Sequence, residues 1–394
     1  MRKVFAILLI FTSISAYSQK FTKDDFLEDL EYIKNTLPEK HINIFSKISR
    51  NEFYTIINTI KSKADFLNLE TFTNELFKLT VAIDDEHTII EPLHQIIVPI
   101  KFEMFTEGIF VTEIDSEYSN FLLREVVAIN ERPINDVVND FKKIIQSHNK
   151  SYFDVFLLLY LNNATVLKGL GTLNVENEIT YTLRSESGNT STVRFDITNV
   201  NKKMVKAVVN PQKTGNNYYY KYDSVRNEIY FNYSKCRNDE SYPFANFNAD
   251  LFKFIDKAKP EKIILDLRYN SGGNSTILNP FFKKIKRSYL NKPGKFYVLI
   301  GKETFSSALL NAVELKRKYK TILVGEQTAG SINHYGEILN FQLPKTKIKV
   351  IYSTKYYEIW KGNNGALNPD IKINYSIENF KQNRDEAIEY INTN

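Results

Sequence analysis

Between Glu228 and Thr328 the chain alternates aliphatic runs with amphipathic ones, and this order narrows the fold more than any other feature of the sequence. EIYFNYSKC reads as a strand and FANFNADLFKFIDKA as an amphipathic helix. KIILDLRYNSGG reads as a buried strand running into a glycine turn, and KFYVLIGKETFSS as a further strand that ends on two serines. SALLNAVELKRKY is then helical in pattern and TILVGEQT strand-like. Apolar strands alternating with helices predict an α/β fold, a sheet with helices packed against it. Sites in such sheets gather at strand ends, where both the SGG turn (271–273) and the FSS stretch (305–307) fall.

Upstream, the texture differs. Residues 20–85 place apolar side chains at three- and four-residue spacing in FTKDDFLEDLEYIKNTL and TFTNELFKLTVAI, with LPEKHINIFSKIS as a connection broken by Pro38. This predicts a helical N-terminal cap over 19–92. From about residue 95, IIVPIKFEMFTEGIFVTEI alternates as strands do, LLREVVAINERPINDVVNDFKKII reads as strand, tight turn and helix, and EITYTLRSESGNTSTVRFDI as a hairpin. The order of GIFVTEI and LLREVVAINERPI resembles a PDZ domain, which implies a PDZ-like module over 93–200 and leaves 201–394 as the α/β domain. Glu131 stands where that pattern often has a turn glycine.

The N-terminus, MRKVFAILLIFTSISAYSQKF, combines Arg2 and Lys3 with an apolar run from Val4 to Phe11 and small residues at Ala16 and Ser18. That run is too short to span a bilayer, so residues 1–18 read as a secretory signal peptide, and the expectation is a periplasmic or secreted bacterial protein without a stable membrane anchor. The net charge of +6 comes from interleaved basic and acidic residues, which argues against nucleic acid as the main partner. Cys236 is the only cysteine, so neither an intrachain disulfide nor a thiolate zinc site is available. No H-E-x-x-H is present and the five histidines are scattered, so no metal or organic cofactor is expected.

Three stretches carry candidate chemistry. In GKETFSSALLNA, Thr304 is placed to cap the following helix, and Ser306 and Ser307 read either as further capping residues or as a nucleophile on a strand-to-helix turn. The glycines of DLRYNSGGN, Gly272 and Gly273, allow a tight turn with outward N–H groups that could hold an oxyanion; without a P-loop lysine or a spaced GxGxxG, a phosphate cradle is disfavoured. In DDEHTII, His87 has three acidic neighbours able to favour its charged form or orient its ring. His41, His94 and His148 lack a comparable acidic setting, and His334 in SINHYGE is the fallback base.

Taken in order, D-x-H-T, the PDZ-like region, ILDLRYNSGGN, TFSSA, LVGEQTAG and NPDIKI resemble the tail-specific (C-terminal processing) serine peptidases, most strongly over 260–375. The resemblance implies a crotonase/ClpP-like catalytic domain and hydrolysis of peptide bonds by acyl transfer, on peptides or protein C-terminal ends. It makes Ser306 the nucleophile and the Gly272/Gly273 turn with the Ser307 N–H the oxyanion hole. The Ser/Lys branch of that family carries a lysine where this chain has Ser331. Lys302 and Lys355 read as solvated lysines, so the resemblance points to the tricorn-like Ser/His branch, with His87 as base. Candidates to orient its ring are Glu86, Asp85, Glu337 and Glu358, with Asn363 and Asn364 standing in the G-x-x-PD stretch where that branch places a Glu. The rival expectation is a catalytically decayed peptide-binding protein of the same fold.

Overall fold

The computed structural model describes residues 21–92, 95–173, 177–200, 202–208 and 215–394. The signal-peptide reading and His94 lie outside the described residues. Among the described residues no helix is long and apolar enough to cross a membrane.

The chain opens with three helices, Lys23–Lys40, Arg50–Ser62 and Leu69–Ile83, each started by a capping box, on Thr22, Ser49 and Asn68. Each box satisfies N–H groups that the first helical turn cannot pair internally. Pro38 does not break the first helix, which runs on to Lys40 with the proline inside it. At that position the helix is almost over, so the proline forfeits one hydrogen bond near an end that frays in any case. After the third helix the chain turns through Asp84, in the left-handed region at φ 58°, and enters the short strand Ile89–Glu91. This strand pairs antiparallel with Lys349–Tyr357, which also pairs with His334–Gln342 to make a three-stranded sheet. The N-terminal helices are thereby tied to a hairpin near the opposite end of the sequence.

A second, antiparallel sheet of seven strands follows, built on Ile100–Met104, Ile109–Asp115, Glu125–Ile129, Glu178–Arg184 and Thr190–Asp196. The turn after Glu125–Ile129 places Asn130 at φ 48° and Glu131 at φ 65°, so a glutamate occupies a left-handed turn position that usually favours glycine. The final strand of this sheet, Met204–Lys206, pairs with Ile109–Asp115. The helices Lys150–Tyr160 and Ala164–Gly169, which the sequence reading does not anticipate, share one apolar core with the N-terminal helices and this sheet.

The third sheet has six strands, in the order Ile371–Lys372, Ile322–Gly325, Phe296–Ile300, Lys262–Asp266, Glu228–Tyr233 and Tyr218–Asp223. All pairings are parallel except the last, where the tyrosine-rich strand Tyr218–Asp223 runs antiparallel along the edge. Helix Phe244–Ala258 covers it through Phe244, Phe247, Leu251 and Ile255, the face that its sequence spacing predicts. The whole is a mixed α/β fold with several sheets.

At the end of Lys262–Asp266, Arg268 is 5% exposed and holds Asp266 at 2.7 Å and Asp385 at 2.7 Å, with Tyr375 Oη accepting a further hydrogen bond at 3.1 Å. Removing one member of such a network leaves a buried charge without compensation, which costs about 3–5 kcal/mol. Arg268→Ala is therefore expected to lower stability by about that amount, read as the shift of the urea midpoint at unchanged slope. Asp385→Asn, whose side chain is 22% exposed, should cost less.

Candidate active site

The parallel strands end on the same side, and two of their loops meet there. The loop after Lys262–Asp266 carries Asn270–Ser271–Gly272–Gly273, and the loop after Phe296–Ile300 carries Thr304–Phe305–Ser306–Ser307. The contact between them is close. A Cβ on Gly272 would lie 2.9 Å from the Ser306 Cβ and 3.1 Å from the Ser307 nitrogen. Gly272 and Gly273 take φ values of 116° and 128°, a region that only glycine enters freely. The turn's second side is held by Cys236, whose N–H donates to the Gly272 carbonyl at 3.0 Å and whose carbonyl accepts from the Asn274 N–H at 2.7 Å.

Neither serine is a cap. Helix Ser306–Lys318 begins after Phe305, which makes no side-chain cap, and Ser306 itself sits at φ 49°. A left-handed serine in the first turn of a helix is strained, and backbone strain of about 1–3 kcal/mol is tolerated chiefly at sites of function. Thr304, predicted to cap, instead turns inward: its hydroxyl donates to the Leu267 carbonyl at 2.8 Å and accepts from the Gly301 N–H at 3.0 Å. Its burial at 0% exposure directs that hydroxyl to the loop rather than to the helix. Ser307 Oγ donates to the Gly273 carbonyl at 2.7 Å, stitching the helix start to the glycine turn. Of the turn's amides, Gly272 N–H already donates to Asn270 Oδ1 at 2.9 Å. The other two amides expected to hold an oxyanion, those of Gly273 and Ser307, sit one on each of the two loops.

His87 lies against the serine loop. Its ring stacks on Phe305, the residue before Ser306, with centroids 4.5 Å apart and planes 19° from parallel. It also stacks on His334, at 5.2 Å and 15°. Burial, with the neighbouring His334, lowers its pKa to about 4, against the opposing pull of Asp85 and Glu86. The ring is neutral at physiological pH. Neither ring nitrogen has a hydrogen-bond partner among the described residues.

The four candidate orienting acids lie elsewhere. Asp85 accepts the backbone N–H of His87 at 3.0 Å, the hydroxyls of Thr88 and Ser353, and His41 Nε2 at 3.0 Å. Burial raises its pKa, but those hydrogen bonds outweigh it and hold the carboxyl at about 2. Asp85 thus fixes the loop carrying His87 without touching the ring. Glu86 accepts both the N–H and the hydroxyl of Ser331, each at 2.8 Å. Ser331, which stands where the Ser/Lys pattern would place a lysine, is bound by a carboxylate. Its carbonyl accepts from His334 Nδ1 at 2.8 Å, which leaves Nε2 of a neutral His334 as the acceptor. Glu337 and Glu358 are exposed, and Glu337 is engaged with Tyr357 and Lys355.

Two other histidines have richer settings than their sequence context suggests. His41 is 5% exposed and donates through Nε2 to Asp85, because its Nδ1 accepts the Asn43 N–H. His148 lies 3.1 Å from Asp84 and 3.8 Å from Glu86, and the hydrogen bond to Asp84, reinforced by Glu86, lifts its pKa to about 10. Neither partner is close to these histidines in sequence, so no local signal announces them. Lys302 lies 3.3 Å from Glu326 and 3.5 Å from Asp154. Among the described residues, no group of three or more His, Cys, Asp or Glu could hold a metal ion.

No protein-family model and no curated protein sequence matches the chain. Solved structures do. Mature CPAF complexed with lactacystin matches with a TM-score of 0.66 at 15% identity, over 94% of this chain and 97% of that chain. Mature CPAF alone gives 0.65 at 14% identity, over 94% and 96%. The photosystem II D1 C-terminal processing protease gives 0.43 at 12% identity, over 89% and 93%. At such identities the CPAF structures establish a shared fold across nearly the whole length of both chains.

Proposed function

We propose that the protein is a serine peptidase of the tail-specific type, with Ser306 as nucleophile. One observation carries this reading above the rest: Ser306 stands at φ 49° on a strand-to-helix turn, packed against Gly272. An ordinary capping serine needs neither the strain nor the glycine beside it. In this reading Ser306 Oγ attacks a peptide carbonyl and passes its proton to a histidine, which returns it to the leaving amine. The oxyanion is held by the N–H groups of Gly273 and Ser307, each such donor contributing roughly a hundredfold or more in rate. His87 is the base, since it is neutral and lies against Phe305. The proposal extends to a crotonase/ClpP-like catalytic domain, a PDZ-like module, substrates that are peptides or protein C-terminal ends, the Ser/His rather than Ser/Lys branch, and export from a bacterial cell.

A second reading has its own observation. The His87 ring nitrogens bond to nothing among the described residues, and Glu86 spends its carboxylate on Ser331. A peptide-binding protein with a decayed site would look the same at this histidine. Fluorophosphonate labelling of the folded mature protein, followed by intact mass, separates the two. The peptidase reading expects one adduct on the wild type and none on Ser306→Ala. Well-folded wild type that takes no adduct would establish the binding reading, and an adduct that survives Ser306→Ala would move the nucleophile elsewhere.

A further inference from the structure

We infer that Asn270 is the residue that positions the glycine turn against the nucleophile, an inference that rests on reading Ser306 as that nucleophile. Asn270 is 0% exposed and bonds to three separate stretches of chain. Its Nδ2–H donates to the Tyr233 carbonyl at 2.8 Å, fixing it to the end of the neighbouring strand. Its Oδ1 accepts the Gly272 N–H at 2.9 Å. Its backbone carbonyl accepts the Phe305 N–H at 3.1 Å, so the residue immediately before Ser306 hangs from the same asparagine. Cys236 Sγ completes the set at 3.6 Å from Oδ1, and Cys236 is itself the residue that brackets the turn from behind.

The chemistry of an amide explains the choice. Only a side chain with one donor and one acceptor in a fixed plane can satisfy a carbonyl on one side and an N–H on the other. Aspartate would offer the acceptor but set a negative charge against the Tyr233 carbonyl, and alanine would leave two buried backbone groups unpaired. The bond to Gly272 also has a consequence for the oxyanion site. It turns the first glycine amide inward and fixes the Ser271–Gly272 peptide plane, while the next plane, which carries the Gly273 N–H, is held by the Cys236 N–H on the Gly272 carbonyl. Asn270 therefore acts on the reaction through the turn and touches no substrate.

The test compares Asn270→Ala with Asn311→Ala. Asn311 is a matched control, 2% exposed, with Nδ2 donating to the same Cys236 Sγ at 3.7 Å but making no bond to the turn. Two quantities are read at a temperature where unfolding melts show each variant folded: the fluorophosphonate labelling rate, and amide hydrogen exchange in peptides covering 268–275 and 304–308. Asn270→Ala is expected to slow labelling by about a hundredfold and to speed exchange in both segments by about tenfold or more, while Asn311→Ala leaves both near wild type. If Asn270→Ala does not fold, Asn270→Asp takes its place: protection at 268–275 is then retained through the surviving acceptor, while exchange at 233–236 rises. Wild-type exchange in the variant, or equal losses in Asn311→Ala, would overturn the inference. A wild type that takes no label defeats the serine reading instead, and the exchange data alone then decide whether Asn270 holds the turn.

Discussion

His87→Ala is expected to lower kcat/KM for a peptide substrate by at least about 10⁴-fold, and the wild-type labelling rate is expected to stay level down to about pH 4. The first follows from the proposed role of His87 as base, the second from its burial. A free histidine titrates near 6.5 and would lose half of its base form there. His87 lies under Phe305 and His334, where a positive charge is poorly solvated, so its folded-state pKa falls to about 4 and the ring stays neutral through the physiological range. The sign of the linked stability effect follows. Between about pH 6.5 and 4 the unfolded chain binds a proton at this residue that the folded chain does not, so this histidine's contribution to stability falls as pH drops through that window. His87→Ala should lack that part of the acid sensitivity while losing activity at every pH. A labelling profile that inflects near 6.5 would exclude His87 as the base.

The sequence made the scaffold legible because its signals are local. The strand-helix alternation over 228–325, the helix Phe244–Ala258 and the hairpin of Glu178–Arg184 with Thr190–Asp196 are each set by periodicity within a dozen residues. The encounter of SGG with FSS was readable for a similar reason, since adjacent parallel strands deliver their ends to one edge. What the sequence withheld is long-range. Glu86 meets Ser331 across 245 positions and Asp85 meets Ser353 across 268, so the acids beside His87 in sequence are directed away from its ring by partners that no window contains. Thr304 misled because its residue type suits a cap, whereas its burial was decided by the Leu267 carbonyl. Asn270 carries no signal of its own in DLRYNSGGN, since an asparagine between a strand and two glycines ordinarily marks a turn.

The glycine turn offers a separation of stability from activity that tests the site from its other side. At Gly273 an added Cβ would lie 2.4 Å from the Cys236 carbonyl oxygen and 3.0 Å from its carbon, both backbone atoms held in the bridge between these residues. At Gly272 the nearest atom is the Ser306 Cβ, at 2.9 Å. Both residues sit at φ values hostile to alanine, which costs about 1–3 kcal/mol before any contact is counted. Gly188 is the control for that part alone, at φ 85° with nothing within 4 Å of the added atom. Gly188→Ala should therefore lower stability by about 1 kcal/mol and leave labelling unchanged. Gly273→Ala must in addition move backbone, so its loss of stability should exceed that of Gly188→Ala by several-fold, read from urea midpoints. Gly272→Ala presses on the serine itself: the strained turn can relax by shifting Ser306, so labelling should fall by about a hundredfold or more with a smaller loss of stability than Gly273→Ala. Equal stabilities for Gly273→Ala and Gly188→Ala would show that the Cys236 bridge yields, and the turn could then not hold the Gly273 N–H in a fixed direction. Wild-type labelling in folded Gly272→Ala would mean that the close approach of the two loops has no part in activating Ser306.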